Sequence, residues 1–488
     1  MIDCPRWVAR KESENTENLL DRRSRKVKES IPMKTVSCRL MILVGTVALL
    51  LLAAPPLPAQ IQPAPLLPGI ESTEFNMIRV RDAATAEITY GIRASIEGTG
   101  IRRVTLVAPL SKTFVLFDTA IPMSGIRLAL DTEATKMSEA FFTTNFPDGQ
   151  YTTQVTFADS STEELPLNIL KQWPDFPTVV YPASGATNVP NAPLVQWTRT
   201  NGAYGYAVSF SAANYFYDVS RYDVPWNKTS VLFPEGTLLM GDTYEMLLEA
   251  WNGPCMSDTR VSFRAAQTTL GPALISRIPD NYLLGVMKMG SEGYQIHGEV
   301  QPKASGYSRF EVVFPQSAGS VTVFESPLAS NPYQVWACMD LSVPVEVTGA
   351  YTVKLRRDGG SNSQVQVTTP SQYPGDPAIL TPAPGQGVPP GYLAKWSIGT
   401  GAAPDTILRE VDLDKWRVDS FVEPSVMQAA IPAFPPTRGS SEEAELMLMP
   451  LRFQSSGNAT GFLGAATRTK FEIHYPTRAD GGAWPLYP

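Results

Sequence analysis

The chain has 488 residues, 43% hydrophobic and 18% charged, with a net charge of −7. That is material for three to five domains with full cores, and it excludes a disordered chain or a coiled coil. Its 43 prolines break up long helices and favour short strands joined by turns. Two histidines and four cysteines argue against a His-based metal site and against a disulfide-dense scaffold.

Residues 1–59 read as a leader and signal peptide. Leu40 to Ala54 is an apolar run preceded by Lys34 and Arg39 and followed by Pro55, Pro56, Leu57, Pro58, Ala59 and Gln60. The run is short for a bilayer span and has the three-part form of a secretory signal, with a small residue for cleavage at Ala59. A single membrane anchor is the alternative. Met33-Lys34 makes a conventional start, so the signal covers about residues 33–59 and residues 1–32 belong to no folded domain.

Cleavage would remove 10 basic and 6 acidic residues and leave 30 and 41, a net charge of −11. An acidic surface repels phosphate backbones, so nucleic acid is excluded as a partner. The exported chain would carry no membrane span and would be secreted, periplasmic or at the cell surface. Residues 60–71 form a proline-rich linker.

Self-similarity then sets the organisation. Gln172, Pro174, Pro177, Pro182, Ala183 and Gly185 recur as Gln372, Pro374, Pro377, Pro382, Ala383 and Gly385. After a one-residue deletion, Val189-Pro190, Leu194 and Trp197 recur as Val388-Pro389, Leu393 and Trp396. Gly149-Gln150-Tyr151-Thr152 is echoed by Gly349-Ala350-Tyr351-Thr352, each followed by alternating apolar residues and a polar turn. A unit of two modules therefore occurs twice, giving four modules at 72–172, 173–270, 271–371 and 372–478, with a tail at 479–488.

Within the second module, Tyr244, Met246, Leu248 and Ala250 alternate with Glu245, Leu247 and Glu249, as in a strand buried on one side. Tyr206 to Phe210 alternates too. Short strands with a turn signal every ten residues or so mark a β-sandwich. The fold class expected is all-β, a tandem array of four sandwiches.

Pro177, Pro182, Val189-Pro190, Leu194, Trp197 and Tyr206, with Tyr244 after the turn Leu238 to Thr243, make the second module resemble a bacterial tandem fibronectin type III domain. The resemblance implies structural roles for Trp197, Trp396 and Tyr244, the last as a tyrosine corner bonding upstream backbone. The fourth module keeps the opening half but has Glu443-Ala444-Glu445-Leu446 where the tyrosine is expected, which leaves its later topology open. The first and third are immunoglobulin-like by size and strand pattern.

Candidate chemistry is sparse. By alternation, His297 and His474 sit on polar strand faces and read as solvent-facing. Asp412 and Asp414 share one strand face, a solvated face rather than an acid pair or cation site. No nucleophile elbow, zinc-protease helix or phosphate loop occurs, so no catalytic residue, metal ligand or cofactor is assigned. Cys255 and Cys338 are the candidates for a disulfide joining the second and third modules; the alternative is two separate thiols, one packed beside Trp336.

Tyr215, Tyr217, Tyr222 and Trp226 form an aromatic cluster able to receive sugar rings. Packing against a neighbouring module would produce the same cluster. The leading reading is an exported, non-enzymatic, rod-like binding or scaffold protein whose partner is a protein or polysaccharide of the cell envelope. A carbohydrate-binding protein using these aromatics is the first alternative. A glycan hydrolase with an unrecognised carboxylate site is the second. Asn227 and Asn458 head glycosylation sequons.

Overall fold

In the computed structural model, the described residues are 69–475, apart from short segments at 122–124, 132–136, 213–217, 234–237, 239–242, 267–281, 303–304, 316–317, 329–334, 358–360, 414–415 and 433–440. The leader, the signal peptide, most of the linker, the tail, Tyr215, Tyr217 and Asp414 lie outside them. The described residues belong to one compact unit. No helix among them is long and apolar enough to cross a membrane.

The first quarter supplies β1 (Gly69–Asp82), β2 (Ile88–Thr99), β3 (Ile101–Ala108), β4 (Lys112–Thr119) and β5 (Gly125–Asp131). A short helix α1 (Glu139–Asn145) follows, then β6 (Gly149–Phe157) and β7 (Thr162–Ile169). The Ser138 side chain caps α1 by accepting from the Phe141 amide. The second quarter gives β8 (Thr178–Tyr181), β9 (Leu194–Thr198), β10 (Gly205–Ala212) and β11 (Asp218–Pro225). It ends with β12 (Ser230–Leu232), β13 (Thr243–Asn252) and β14 (Cys255–Arg264).

The third quarter gives β15 (Tyr282–Lys288), β16 (Tyr294–Val300), β17 (Tyr307–Val313) and β18 (Ser320–Glu325). It closes with β19 (Trp336–Val343), β20 (Ala350–Arg357) and β21 (Asn362–Thr368). The last quarter gives β22 (Pro377–Thr381), β23 (Gly387–Val388), β24 (Leu393–Ile398) and β25 (Thr406–Leu413). After these come β26 (Trp416–Val422), β27 (Gln428–Ala430), β28 (Ser441–Ser456), β29 (Ala459–Ala465) and β30 (Thr467–His474). The all-β sandwich class expected from the sequence is what forms.

The second quarter is a two-layer sandwich, with β12-β9-β8 on one side and β11-β10-β13-β14 on the other. Trp197 packs on Tyr206 with ring centroids 5.4 Å apart, and Phe210 meets Phe233 and Phe263 edge-on. Tyr244, Met246, Leu248 and Ala250 are all buried, as their alternation requires. The last quarter repeats the layout despite lacking the tyrosine. Its small sheet is β22-β24-β27, and β26-β25-β28 continues into β29 and β30. The repeated Val189 and Val388 do the same job, each bridging in parallel to the final strand region, at Ala265 and Ile473.

Tyrosine corners occur where the sequence reading did not place them. The Tyr151 hydroxyl donates to the Pro147 carbonyl at 2.7 Å, and the Tyr351 hydroxyl donates to the Val347 carbonyl. Each tyrosine lies two residues after the glycine of the Gly-x-Tyr-Thr echo, and each is buried.

The four quarters do not form a rod. β1 pairs in parallel with β14, and β15 pairs in parallel with β29. β5 pairs antiparallel with β19, and β11 with β26. With β28 bonded to both β25 and β29, the ladder returns to its start. The circuit runs β28-β25-β26-β11-β10-β13-β14-β1-β2-β5-β19-β16-β15-β29 and closes on β28. An eight-stranded sheet, β21-β20-β17-β18-β4-β3-β6-β7, likewise joins the first and third quarters through β18 and β4.

The apolar cores follow this pairing rather than chain order. One joins the first and third quarters, through residues such as Phe117, Tyr151, Phe310 and Tyr351. Another joins the second and fourth, with Trp197 and Trp396 in the same cluster. The Trp173-Pro174 junction is pinned in place. The Pro174 carbonyl accepts from Arg79 at 2.7 Å and from Ser257 at 2.6 Å, and Trp173 packs on Phe142 and beneath Arg79.

Fourteen ring strands spaced ~4.8 Å apart make a circuit of roughly 67 Å, too tight to enclose sheets packed ~10 Å away. The outer sheets therefore lie outside the ring, and the opposite ring face is internal.

Two expectations test this architecture. Tyr151→Phe, which keeps the ring and loses one buried hydrogen bond, should cost about 1 kcal/mol in urea denaturation. A Cβ on Gly461 of β29 would lie 2.0 Å from the Thr368 carbonyl oxygen at the end of β21, where backbone cannot yield. Gly461→Val should therefore cost about 3 kcal/mol or more by the same measurement, with Gly69→Ala, where a Cβ meets nothing within 4 Å, as the tolerated comparison.

Candidate functional site

The ring's inner face carries an unusual load of buried polar groups. Alternation sends Ile92, Ala94 and Ile96 of β2 outward into the core and Arg93 inward, where it forms a 2.9 Å ion pair with Glu249 of β13. Asp258, Glu410 and Asp419 are also buried on inward-facing positions. Apolar patches fill the spaces between, one of them formed by Leu283, Met287, Leu408, Met447, Met449, Leu451 and Phe462.

The densest of these polar groups is a two-by-two grid. On β16, His297 and Glu299 lie two residues apart and share a face; on β19, Cys338 and Asp340 do the same. The antiparallel register sets His297 opposite Asp340 and Glu299 opposite Cys338. All four are buried. His297 Nδ1 lies 2.7 Å from Asp340 Oδ1, and its Nε2 lies 3.2 Å from Glu299 Oε1. Trp336 Nε1–H donates to the other Glu299 oxygen at 3.4 Å. The Phe462 ring sits 5.9 Å from the imidazole.

His297 corrects the sequence reading. The polar face of β16 is the face turned into the ring, so its histidine is buried, not solvent-facing. His474 is exposed as expected, 2.9 Å from Glu472. Burial by itself pulls His297 down, but the Asp340 and Glu299 carboxylates outweigh it and hold it up at about 9. The imidazolium thus donates from both nitrogens to two carboxylates.

The second correction concerns the thiols. Cys255 is free and buried, so the expected Cys255–Cys338 bond does not form. Cys255 points to the outer face of β14, with its sulfur 3.7 Å from the Leu170 carbonyl, whereas Cys338 faces inward from β19. Four strand spacings separate β14 from β19, roughly 19 Å, far beyond disulfide reach. Burial pushes the Cys255 thiol up to about 11. Cys338 is itself disulfide-bonded.

The aromatic cluster is redistributed. Tyr222 is buried in the core shared by the second and fourth quarters, because β11 pairs with β26 and that face is covered. Trp226 is 48% exposed and stacks with Arg199 at 4.4 Å. Two aromatics outside the expected set join it at one strand end, Tyr204 at 68% and Trp251 at 36% exposure. Gly205 pairs with Trp251 on one side and with Pro225, next to Trp226, on the other. The Trp251 indole lies over Gly205, where a Cβ would fall within 2.1 Å of the ring. Asp412 is only partly exposed on an inward-facing position of β25.

The His297 cluster gives a pH dependence whose sign is fixed. Its folded pKa of about 9 exceeds the unfolded value of about 6.5, so the stabilisation is complete below pH 6.5 and is lost as pH rises through 9. Thermal or urea unfolding should show a loss on the order of 3 kcal/mol between pH 6.5 and 9.5. In His297→Gln that slope should flatten.

No family model matches the chain, and no curated protein does. Among solved structures, the chain is similar to the FN1–FN3 domains of chicken CNTN1, with 13% identity over 62% of this chain and 99% of that one and a TM-score of 0.18. It is also similar to SGBP-B of the Bacteroides ovatus mixed-linkage glucan utilization locus, in complex with a mixed-linkage heptasaccharide. That match has 11% identity over 62% of this chain and 71% of that one, with a TM-score of 0.15.

Proposed function

We propose that the chain is an exported, non-enzymatic binding or scaffold protein of the cell surface or periplasm. The observation that carries this reading is closure of the fourteen-strand ladder. A body whose four quarters all give strands to one circuit holds its connecting loops at fixed separations, and pre-organised surfaces bind without a further ordering cost. His297 supports the non-enzymatic side, since both its nitrogens are already held by carboxylates in a buried site that substrate cannot reach.

A carbohydrate-binding role is the second reading, favoured by Tyr204, Trp226 and Trp251 meeting at one exposed strand end. Indole and phenol faces accept the C–H faces of sugar rings. A glycan array and affinity gels with insoluble polysaccharide separate the two. The leading reading expects no glycan retention, and cross-linking on intact cells should trap an envelope protein. Retention weakened at least ten-fold by Trp226→Ala or Trp251→Ala would establish the second reading, and turnover of any retained glycan would overturn the non-enzymatic one.

A further inference from the structure

The eight-stranded outer sheet ends in β7 on one side and β21 on the other, and among the described residues no strand pairs beyond either. The two are copies of one another in the duplication and sit in the same register, Pro166 facing Thr152 and Gln366 facing Thr352. Their edge chemistry differs. β7 carries Glu163, Glu164 and Pro166; β21 has Ser363, Gln364 and Gln366 in their places. Charge and proline are the common means of making a sheet edge unfit to pair. β21 has neither, and its ladder with β20 runs without a bulge. The remaining open edges, β8, β12, β22, β23 and β27, are only two to five residues long. The Arg357 amide donates to the Ser361 carbonyl, and the Thr369 amide to the Gly349 carbonyl. Residues 361 and 369 therefore turn their backbone towards β20, and by alternation the even-numbered residues turn theirs away. Thr368 is covered, since its carbonyl lies against Gly461 of β29. Asn362, Gln364 and Gln366 are exposed, with amide and carbonyl aimed off the sheet.

We propose that β21 is the docking edge for a second copy of this chain, the two β21 strands pairing antiparallel about a two-fold axis at Gln364. Asn362 then faces the partner's Gln366, and Gln364 faces its own counterpart. Each such pair exchanges both its backbone hydrogen bonds, so every open group of the three residues is satisfied. Ser363 meets the partner's Val365 on the other face, and no like charges oppose one another anywhere along the contact. A second copy is the occupant because the molecule already builds this sheet in that way. β4 and β18, corresponding strands of the duplication, pair antiparallel at its centre. β21 on β21 continues that sheet by the same two-fold operation, and an uncharged edge is complementary to itself. A single strand pair buries less than the ~1,000 Å² of a stable interface, so the dimer is weak and reversible.

The test is analytical ultracentrifugation of the full chain from about 1 µM to about 300 µM, the range suited to a contact of this size. Beside it runs the triple variant Ser363→Glu, Gln364→Glu and Gln366→Pro. These substitutions give β21 the residues that β7 already carries at the same register, so the fold accommodates them by its own precedent, and circular dichroism confirms it. The pair Ser363→Glu and Gln364→Glu, without the proline, keeps the result readable if the triple variant fails to fold. The expected result is a mass that rises from one chain towards two in the parent, with association weakened at least about 10-fold in both variants. The reverse exchange on β7, Glu163→Ser, Glu164→Gln and Pro166→Gln, should open a second edge and carry association past the dimer. A parent that stays monomeric across the range, or a dimer that neither β21 variant weakens, overturns the proposal. A monomer whose β21 takes up an uncharged extended peptide overturns it too, in favour of a strand from a different protein.

Discussion

Hydrogen bonding between the edges of neighbouring sandwiches is the constraint on which this structure rests. A sheet edge exposes a row of unpaired amide and carbonyl groups, and leaving them open invites association with other chains. Each half of the duplicated chain offers edges, and the fold spends them on one another. β14 takes β1 and β29 takes β15 within the halves, while β5 with β19 and β11 with β26 join the halves. Those last two pairings, and β4 with β18 in the outer sheet, are antiparallel contacts between corresponding strands of the two copies. That is the geometry of a two-fold interface, realised inside one polypeptide.

Closure also decides what happens to the polar strand faces. In an isolated sandwich the side of β16 carrying Gln295, His297 and Glu299 would meet water. In the ring that side is internal, and its charges must be compensated there. Arg93 with Glu249, and His297 with Asp340 and Glu299, are the visible compensation. Such pairs gain little over a hydrophobic replacement, but they are costly to break singly. The same enclosure that sets two carboxylates against His297 keeps the cluster buried and pre-oriented, so fold and candidate chemistry share one physical origin.

Much of the architecture was legible in the chain itself. The repeated Val-Pro and tryptophan, and the alternation from Tyr244 to Ala250, are local signals, because side-chain direction in a strand has period two wherever the strand goes. They determined the all-strand class, the duplication, and the burial of Trp197, Trp396, Tyr206 and Phe210. The Gly-x-Tyr-Thr echo also held the two tyrosine corners in plain view. The corner itself is a hydroxyl bond to a carbonyl four residues upstream, which only the folded turn brings within reach.

What only the tertiary structure decided is which face of a strand meets water and which strands share an edge. Alternation separates two faces without naming the wet one, so His297 and Tyr222 were assigned outward. Strand pairing between residues 200 positions apart leaves no local trace, so a rod and a ring have the same sequence pattern. The grid of His297, Glu299, Cys338 and Asp340 shows this most clearly: His-x-Glu and Cys-x-Asp are unremarkable on separate strands, and they become a constellation only when the register of β16 on β19 sets them side by side.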